Sequence, residues 1–213
     1  MFFRLVVCII FTTFIEVSSE AVASTKDCHY STWTWDTFQK LAVNHSTVQK
    51  SKSKLLKYER DRFSPCTLCR EDQQLVSIPG ISPFLMCKHF AEQVRSAILS
   101  ALKLGFPIYE VVGYRVGRSK GKVDSNGLRT EYSNHSFGTA IDINPNFNGL
   151  YDNCTHFSPS CRLLRGGLWK SENPASIKTS SSIYKEFQRI GWRWGGSLEG
   201  KQKDFMHFSL TGD

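Results

Sequence analysis

Beyond residue 23 the sequence lacks any apolar run that approaches the ~20 residues of a membrane-spanning helix, so no span is predicted there. Internal repeats and low-complexity tracts are absent as well, which excludes a repeat protein and a compositionally biased disordered chain. With 213 residues, 40% of them hydrophobic, the chain is long enough for one domain with a sizeable core and short for two.

The first 23 residues are typical of a secretory signal peptide. Arg4 precedes an apolar run over Leu5–Ile15, and Ala21-Val22-Ala23 has the small-residue spacing of a cleavage site. A membrane anchor is the alternative, but the run is well short of the ~20 residues that a bilayer span needs. We therefore expect a secreted protein, extracellular or periplasmic, that is cleaved near Ala23. An N-terminal extension (24–74) and the main domain (75–213) would follow.

Cysteine usage agrees with export. Cys8 lies in the predicted signal peptide, and the other cysteines are Cys28, Cys66, Cys69, Cys87, Cys154 and Cys161. In an exported protein such a set predicts disulfides, although the sequence does not fix the pairing. Only Cys154 and Cys161 are predicted as partners, because they flank one short polar loop. The Cys66-x-x-Cys69 pair is similar to zinc-ribbon or redox motifs, but no second pair with metal spacing follows it, so disulfide use is favoured.

The chain is basic, with a formal net charge of +8 at pH 7. Such a charge predicts adhesion to anionic polymers, and charge alone does not choose among wall polymers, phospholipid surfaces and nucleic acid. A basic solvated surface without a specific partner is the alternative. We expect no specific nucleic-acid partner and a monomer.

Hydrophobic periodicity predicts three helices and several strands. The helices lie at 87–104 and around 183–190, and a poorly amphipathic third one is predicted at 48–62; the strands lie at 108–115, 139–143 and 205–210. A glycine- and lysine-rich loop follows Arg115, and 146–173 reads as a long insertion. Because strands and helices mix without regular alternation, we predict an α+β fold with a central antiparallel sheet flanked by helices.

Two segments place polar side chains inside apolar strands. In Ser133–Asp142 a loop histidine, His135, precedes Asp142, and in Asp204–Phe208 an aspartate precedes His207. An unpaired buried carboxylate is costly, and a metal or an arginine is the usual remedy. Two histidines and one carboxylate form a known catalytic zinc set that leaves a position for water, and Asp204 would accept a proton from that water. The alternative is that the histidines are hydrogen-bonded core residues and that Asp142 caps a turn.

The ordered motifs Ser-x-His-x-x-Gly-x-Ala-x-Asp at 133–142, Trp-Gly-Gly at 194–196 and Asp-x-x-His-Phe at 204–208 are more specific than any of them alone. Together they resemble the zinc D-alanyl-D-alanine carboxypeptidase and dipeptidase family, which also includes L-alanyl-D-glutamate endopeptidases. The resemblance covers about 108–210. It implies a fold like that of hedgehog domains and DD-peptidases, which the disulfides predicted from the cysteines would staple.

The resemblance also implies roles for single residues. His135, Asp142 and His207 would hold one Zn²⁺ ion, and Asp204 would be the general base and acid. Arg115 would face the substrate carbonyl or carboxylate. Ser133 would bind substrate or support a ligand. Trp194 is a further candidate for the substrate cleft, with core packing as its alternative.

The function expected from these residues is that of a secreted zinc metallopeptidase. It would hydrolyse amide bonds in peptidoglycan peptides, as a D-Ala-D-Ala carboxypeptidase or an L-Ala-D-Glu endopeptidase, with its basic surface on anionic wall polymers. Two alternatives stay open: a hedgehog-like zinc-containing binding module without peptidase activity, and a secreted peptidase that acts on ordinary peptides.

Overall fold

The computed structural model describes residues 26–213, so the predicted signal peptide lies outside the described residues. The strands of this part are β1 Asp27–Asp36, β2 Leu41–Ser51, β3 Gln73–Ile78, β4 Ile81–Cys87, β5 Val111–Val112, β6 Gly117–Val123, β7 Arg129–Tyr132, β8 Ala140–Ile143, β9 Leu150–Asp152, β10 Arg162–Arg165, β11 Arg193–Trp194, β12 Lys203–Asp204 and β13 His207–Ser209. Its α-helices are α1 Ala91–Lys103 and α2 Ser182–Arg189. None of the helices in the described part is long and apolar enough to cross a membrane.

The predicted α+β class is confirmed, but the strands do not form one central sheet. Within residues 26–213 they divide into four sheets, with the orders β2-β1-β6-β7, β10-β9-β12, β11-β13-β8-β5 and β3-β4. Most strands after β4 have only two to four residues, and they form small sheets of three or four strands. The two helices pack against each other and against β3 and β11.

The sheet β11-β13-β8-β5 is antiparallel and carries most of the residues of interest. All four residues of β8 are buried, and Ala140, Ile141 and Ile143 are 0% exposed. A strand covered on both faces reads as a continuous apolar run, which is why the sequence predicted it correctly. In the register of β8 with β13, Asp142 lies opposite His207.

Both long helices were predicted from their apolar spacing. In α1 the buried positions include Val94, Ala97, Ile98 and Ala101, which recur every three or four residues. In α2 the buried ring of Phe187 lies against Phe208 of β13, with 4.5 Å between the ring centroids. The second helix therefore supports the strand that carries His207.

The helix predicted at 48–62 is wrong. Residues up to Ser51 belong to β2, which pairs with β1 from Asp27↔Ser51 to Asp36↔Leu41, and two short 3-10 turns follow. This segment has too few apolar positions for a helical stripe, so pairing with β1 decides its structure. Strand β1 also runs parallel to β6, where the Trp33 ring covers Gly117 so closely that a Cβ there would lie 2.4 Å from it.

Three disulfides lie within the described residues: Cys28–Cys69, Cys66–Cys87 and Cys154–Cys161. The last pair was predicted from sequence and is confirmed. The Cys66–Cys87 bond links the N-terminal segment to the end of β4, immediately before α1. Removing such crosslinks enlarges the conformational freedom of the unfolded chain, so we attribute part of the stability of the N-terminal sheet to them.

Candidate metal centre

Three buried side chains meet at one edge of the β8–β13 pair. Asp142 belongs to β8 and His207 to β13, and the antiparallel register sets them opposite each other. His135 lies in a 3-10 turn over Asn134–Phe137, just before β8. Gly138 ends this turn in the left-handed region, at φ 67°, so the chain folds back and brings His135 over the strand.

The ligand atoms of these residues form a small triangle. The distance from His135 Nε2 to Asp142 Oδ1 is 3.0 Å, and that from His207 Nδ1 to the same oxygen is 3.1 Å. The two nitrogens are 3.2 Å apart. The residues are only 3%, 4% and 5% exposed, in the order His135, Asp142 and His207. Three potential ligand atoms are thus held together away from solvent.

Hydrogen bonding fixes the protonation of His135. Its Nδ1 lies 2.9 Å from the Gly113 carbonyl oxygen, which only accepts, so Nδ1 carries the proton. Burial lowers the pKa of His135 to about 4, although the charge of Asp142 counteracts this, so the ring is neutral at pH 7. Its Nε2 therefore presents a lone pair towards the carboxylate.

Asp142 is ionised in this environment. Burial by itself raises the pKa of Asp142, but the charges and hydrogen bonds around it, that of Arg115 among them, outweigh burial and hold that pKa well below its usual range. A bare nitrogen and a carboxylate oxygen thus face each other at 3.0 Å without a proton between them. A cation between the ligand atoms removes this repulsion.

The donor set fits zinc. With Zn–N and Zn–O bonds of about 2.0–2.1 Å, two ligand atoms of a tetrahedral site lie roughly 3.3 Å apart. The distances in the triangle are 3.0–3.2 Å. The outward nitrogen of the second ring, His207 Nε2, is buried and has no partner among residues 26–213. A proton on this nitrogen leaves Nδ1 free to bind the metal.

Arg115 orients the carboxylate ligand. Its Nη2 donates to Asp142 Oδ2 at 3.0 Å, which leaves Oδ1 to face the histidines. Its backbone N–H donates to the His135 carbonyl oxygen at 3.1 Å, so the two segments are tied together. The second guanidinium nitrogen, Nη1, is buried and unpartnered within the described residues, so a donor remains beside the ligand triangle.

Asp204 supplies a second carboxyl group close to the triangle. It ends β12, and its Oδ1 is buried without a hydrogen-bond partner in the described part of the chain. Burial raises the pKa of Asp204 to about 6, an effect that the charge of His207 opposes and that of Asp142 reinforces. A carboxyl group with a pKa of about 6 exchanges its proton easily near neutral pH, as a general base and acid must.

The two weaker candidates have structural surroundings. Ser133 is buried at the start of the turn that carries His135, and its N–H donates to the Gly117 carbonyl oxygen at 3.3 Å. Trp194 is buried, and its Nε1 donates to the Phe205 carbonyl oxygen at 2.8 Å. Ser133 therefore lies next to the turn that carries His135, and Trp194 packs inside the core.

Two functional features were missed from sequence. The Gly113 carbonyl that orients His135 is a backbone group, which no residue pattern reveals. The loop predicted after Arg115 is wrong, because residues 117–123 form β6 between β1 and β7. Strand β6 contains Lys120, whose charge interacts with Asp204 and Asp142. The sequence shows the glycines and lysines of this segment, but it does not predict a strand there, because the pairing of β6 with β1 depends on the tertiary fold.

Gly138→Ala is expected to destabilise the turn that holds His135. A Cβ at this position would lie 2.1 Å from Gln73 Oε1 and 2.4 Å from the Cys87 nitrogen, at a φ of +67°. Strain of this kind costs about 1–3 kcal/mol, and we expect weaker zinc binding as well. Gly80→Ala is the matched control, because Gly80 has φ +80° but nothing within 4 Å. Urea unfolding measures both; an equal loss in the two variants would contradict a close-packed turn.

Comparison with known proteins agrees with the geometry. Residues 126–210 match the family model described as D-alanyl-D-alanine carboxypeptidase, and the match includes all three residues of the triangle together with Asp204. No curated protein and no solved structure matched the chain. The family predicted from the sequence motifs is thus confirmed. Residues 126–210 are thus similar to the D-alanyl-D-alanine carboxypeptidase family of peptidases.

Proposed function

We propose that the protein is a secreted zinc metallopeptidase that hydrolyses amide bonds in peptidoglycan peptides. The bond would be of the D-Ala-D-Ala carboxypeptidase type or of the L-Ala-D-Glu endopeptidase type. The observation that supports this most strongly is the buried triangle of His135, Asp142 and His207 with Asp204 beside it, whose buried Oδ1 has no partner among residues 26–213. This set fits catalysis better than it fits a purely structural metal, because a structural site has no use for a partnerless buried carboxyl.

The triangle would hold the ion. A Zn²⁺ ion bound there would supply Lewis-acid chemistry, since it polarises an amide carbonyl and lowers the pKa of water towards ~7. Asp204 would accept a proton from the attacking water and return it to the departing amine. In the metal-free site burial raises the pKa of Asp204 to about 6, and a carboxyl that gains and loses a proton near neutral pH is suited to both transfers.

Arg115 would stabilise charge on the scissile carbonyl oxygen. The ion pair with Asp142 holds the guanidinium in place, and its buried Nη1 has no partner among the described residues. A donor fixed before the reaction stabilises developing negative charge without reorganisation. Arg115 would therefore act directly on the transition state and would also orient Asp142.

Two further features support the proposed setting. Three disulfides are compatible with an oxidising compartment outside the cytosol. The formal net charge of +8 supports attraction to anionic wall polymers, which would hold the enzyme near its substrate. We expect this attraction to weaken with salt, since exposed charges are screened beyond about 10 Å at 0.1 M ionic strength.

Mass spectrometry of digested peptides tests the proposal and names the bond. The substrates are peptides with D-Ala-D-Ala ends, peptides with L-Ala-γ-D-Glu bonds, and all-L peptides of similar length. We expect cleavage of one of the first two and none of the third. Cleavage of the all-L set alone would favour a peptidase for ordinary peptides. If nothing is cleaved although zinc is bound, a binding module without peptidase activity is favoured.

A further inference from the structure

The position of the Asp204 carboxyl depends on the backbone that carries it. Its buried Oδ1 has no hydrogen-bond partner, and none of the ion pairs within residues 26–213 includes Asp204. The Asp142 carboxylate, by contrast, is fixed by Arg115 at 3.0 Å. A proton acceptor that is misplaced by about 1 Å can cost roughly 100-fold in rate. Whatever holds the backbone at Asp204 therefore controls the proposed proton transfer.

The backbone at Asp204 is an edge strand of only two residues. Strand β12 lies at the end of the sheet β10-β9-β12, so among residues 26–213 it pairs only with β9. In this pairing Asp204 lies opposite Leu150, and the following N–H, that of Phe205, donates to the Gly149 carbonyl oxygen at 3.1 Å. So short a strand has few hydrogen bonds of its own, and side-chain packing must hold it in place.

The ring of Phe205, the next residue in the chain, supplies that packing. It lies among aromatic rings of the insertion 146–173, with centroid distances of 4.8 Å to Trp169, 5.3 Å to Phe157 and 5.8 Å to Tyr151. The Trp169 N–H donates to the Tyr151 hydroxyl at 2.7 Å, which ties two of these neighbours together. Because Phe205 is only 4% exposed, any shift of its ring disturbs this cluster.

Phe157 is the member of the cluster that lies on a disulfide-closed loop. The Cys154–Cys161 bond joins the two ends of the loop, and the Cys154 N–H donates to the carbonyl oxygen of Lys201, just before β12. Residues 155–160 are exposed or half-buried, so little else than the disulfide and the Phe157 ring attaches them to the protein. The loop is therefore fixed at its ends and covers the cluster with one aromatic side chain.

We propose that the disulfide-closed loop 154–161 positions the Asp204 carboxylate for proton transfer, through the contact between Phe157 and Phe205. The inference rests on the proposed peptidase function and gives the insertion a role in it. Phe157 is a positioning residue: its ring contacts are with other aromatic rings of the cluster, and none of them involves the histidines of the triangle. Its loss should disturb the proton acceptor and leave the metal ligands in place.

Phe157→Ala tests this on the zinc-loaded protein, with whichever of the D-Ala-D-Ala and L-Ala-γ-D-Glu peptides the wild type cleaves. We expect kcat to fall by about 10- to 100-fold, while KM stays within a factor of about 3 and zinc content stays at about one per chain. Phe157→Leu keeps most of the apolar volume and should recover part of the loss. The double variant Cys154→Ser/Cys161→Ser frees the loop, leaves the other disulfides intact and should also lower kcat.

Phe63→Ala is the matched control, because it removes the same ring from an aromatic residue that is 64% exposed and lies in the N-terminal segment. It should leave kcat within a factor of about 2 of wild type. A kcat of Phe157→Ala equal to that of this control, or a change confined to KM, would overturn the inference. So would a loss of activity that follows loss of zinc.

A double-mutant cycle with Asp204→Asn shows whether Phe157 acts through Asp204. If it does, Phe157→Ala should lower the residual kcat of Asp204→Asn by less than about 2-fold. Independent effects multiply, and a full further loss in the double variant would overturn the inference. Thermal unfolding identifies a variant that does not fold; in that case Phe157→Leu and the serine double variant complete the same cycle.

Hydrogen exchange keeps the inference separate from the proposed function. In Phe157→Ala the Phe205 N–H should exchange about 10-fold faster than in wild type, because β12 is less firmly held. The Ile143 N–H, which donates to the Met206 carbonyl oxygen at 2.9 Å, should keep its rate. If the wild type cleaves neither peptide, the proposed function fails, and the exchange rates still decide whether the loop holds β12. Unchanged exchange at Phe205 would overturn the inference.

Discussion

Asp204→Asn is expected to lower kcat for hydrolysis by about 10²- to 10⁴-fold while the bound zinc remains. Asparagine has nearly the same shape as aspartate, but it accepts no proton from water and returns none to the amine. The triangle of His135, Asp142 and His207 does not depend on Asp204 for any of its contacts. The loss should therefore appear in kcat and leave metal content unchanged.

The matched control is Asp152→Asn. Asp152 lies on the neighbouring strand β9 and pairs with Arg162 at the surface. This substitution removes the same charge and should leave kcat within a factor of about 2 of wild type, since surface ion pairs contribute little. Activity of Asp204→Asn above one tenth of wild type would show that another group moves the proton.

Asp204→Asn is also expected to change the stability of the metal-free protein. Burial raises the pKa of Asp204 in the folded protein from its ordinary value of 3.8 to about 6, so the unfolded chain loses this proton at lower pH than the folded chain. The ionised carboxyl therefore destabilises the metal-free fold above about pH 6, and this penalty is absent below the unfolded pKa. Metal-free Asp204→Asn should consequently unfold at pH 7 at no lower urea concentration than wild type. If Asp204 instead stabilised the fold, Asp204→Asn would unfold at a lower urea concentration than wild type.

His207→Ala is expected to abolish both zinc binding and hydrolysis. The substitution removes one of three ligand atoms and leaves the ionised Asp142 facing only His135. Loss of an outer-shell partner alone costs roughly 10–100-fold in metal affinity, so loss of a direct ligand should cost more. Elemental analysis after dialysis should give about one zinc per chain for wild type and close to none for the variant.

His89→Ala is the control for this experiment. His89 is exposed and precedes α1, outside the triangle. It should keep full zinc content and activity, which would show that loss of a histidine in general is not responsible. Zinc retained by His207→Ala at the wild-type level would contradict the ligand assignment.

Parts of the fold were readable because local signals and tertiary packing agree. The apolar spacing of Val94, Ala97 and Ala101 predicted α1, and the apolar run around Asp142 predicted β8. The same run indicated a metal site or an ion pair at Asp142, because a carboxylate in a fully buried strand needs a cation. Residue types in an apolar context supported Asp142 and His207 as candidate ligands, whereas His135, Asp204 and Arg115 depended more on the family motif.

Other parts depend on contacts between distant segments. Strand β2 is mostly exposed and polar, so its sequence has no apolar alternation that would predict a strand. Its structure depends on pairing with β1. Strand β6 is rich in glycine and lysine and becomes a strand because β1 and β7 flank it. That pairing joins distant segments, and the sequence does not encode it locally.

Zinc at His135, Asp142 and His207 is expected to be required for peptide hydrolysis. The most direct measurement follows hydrolysis of purified muropeptides by mass spectrometry before chelation, in excess chelator, and after zinc is added back. We expect cleavage to stop in chelator and to return with about one equivalent of zinc per chain. Unchanged hydrolysis in excess chelator, by protein shown to be free of metal, would contradict the account.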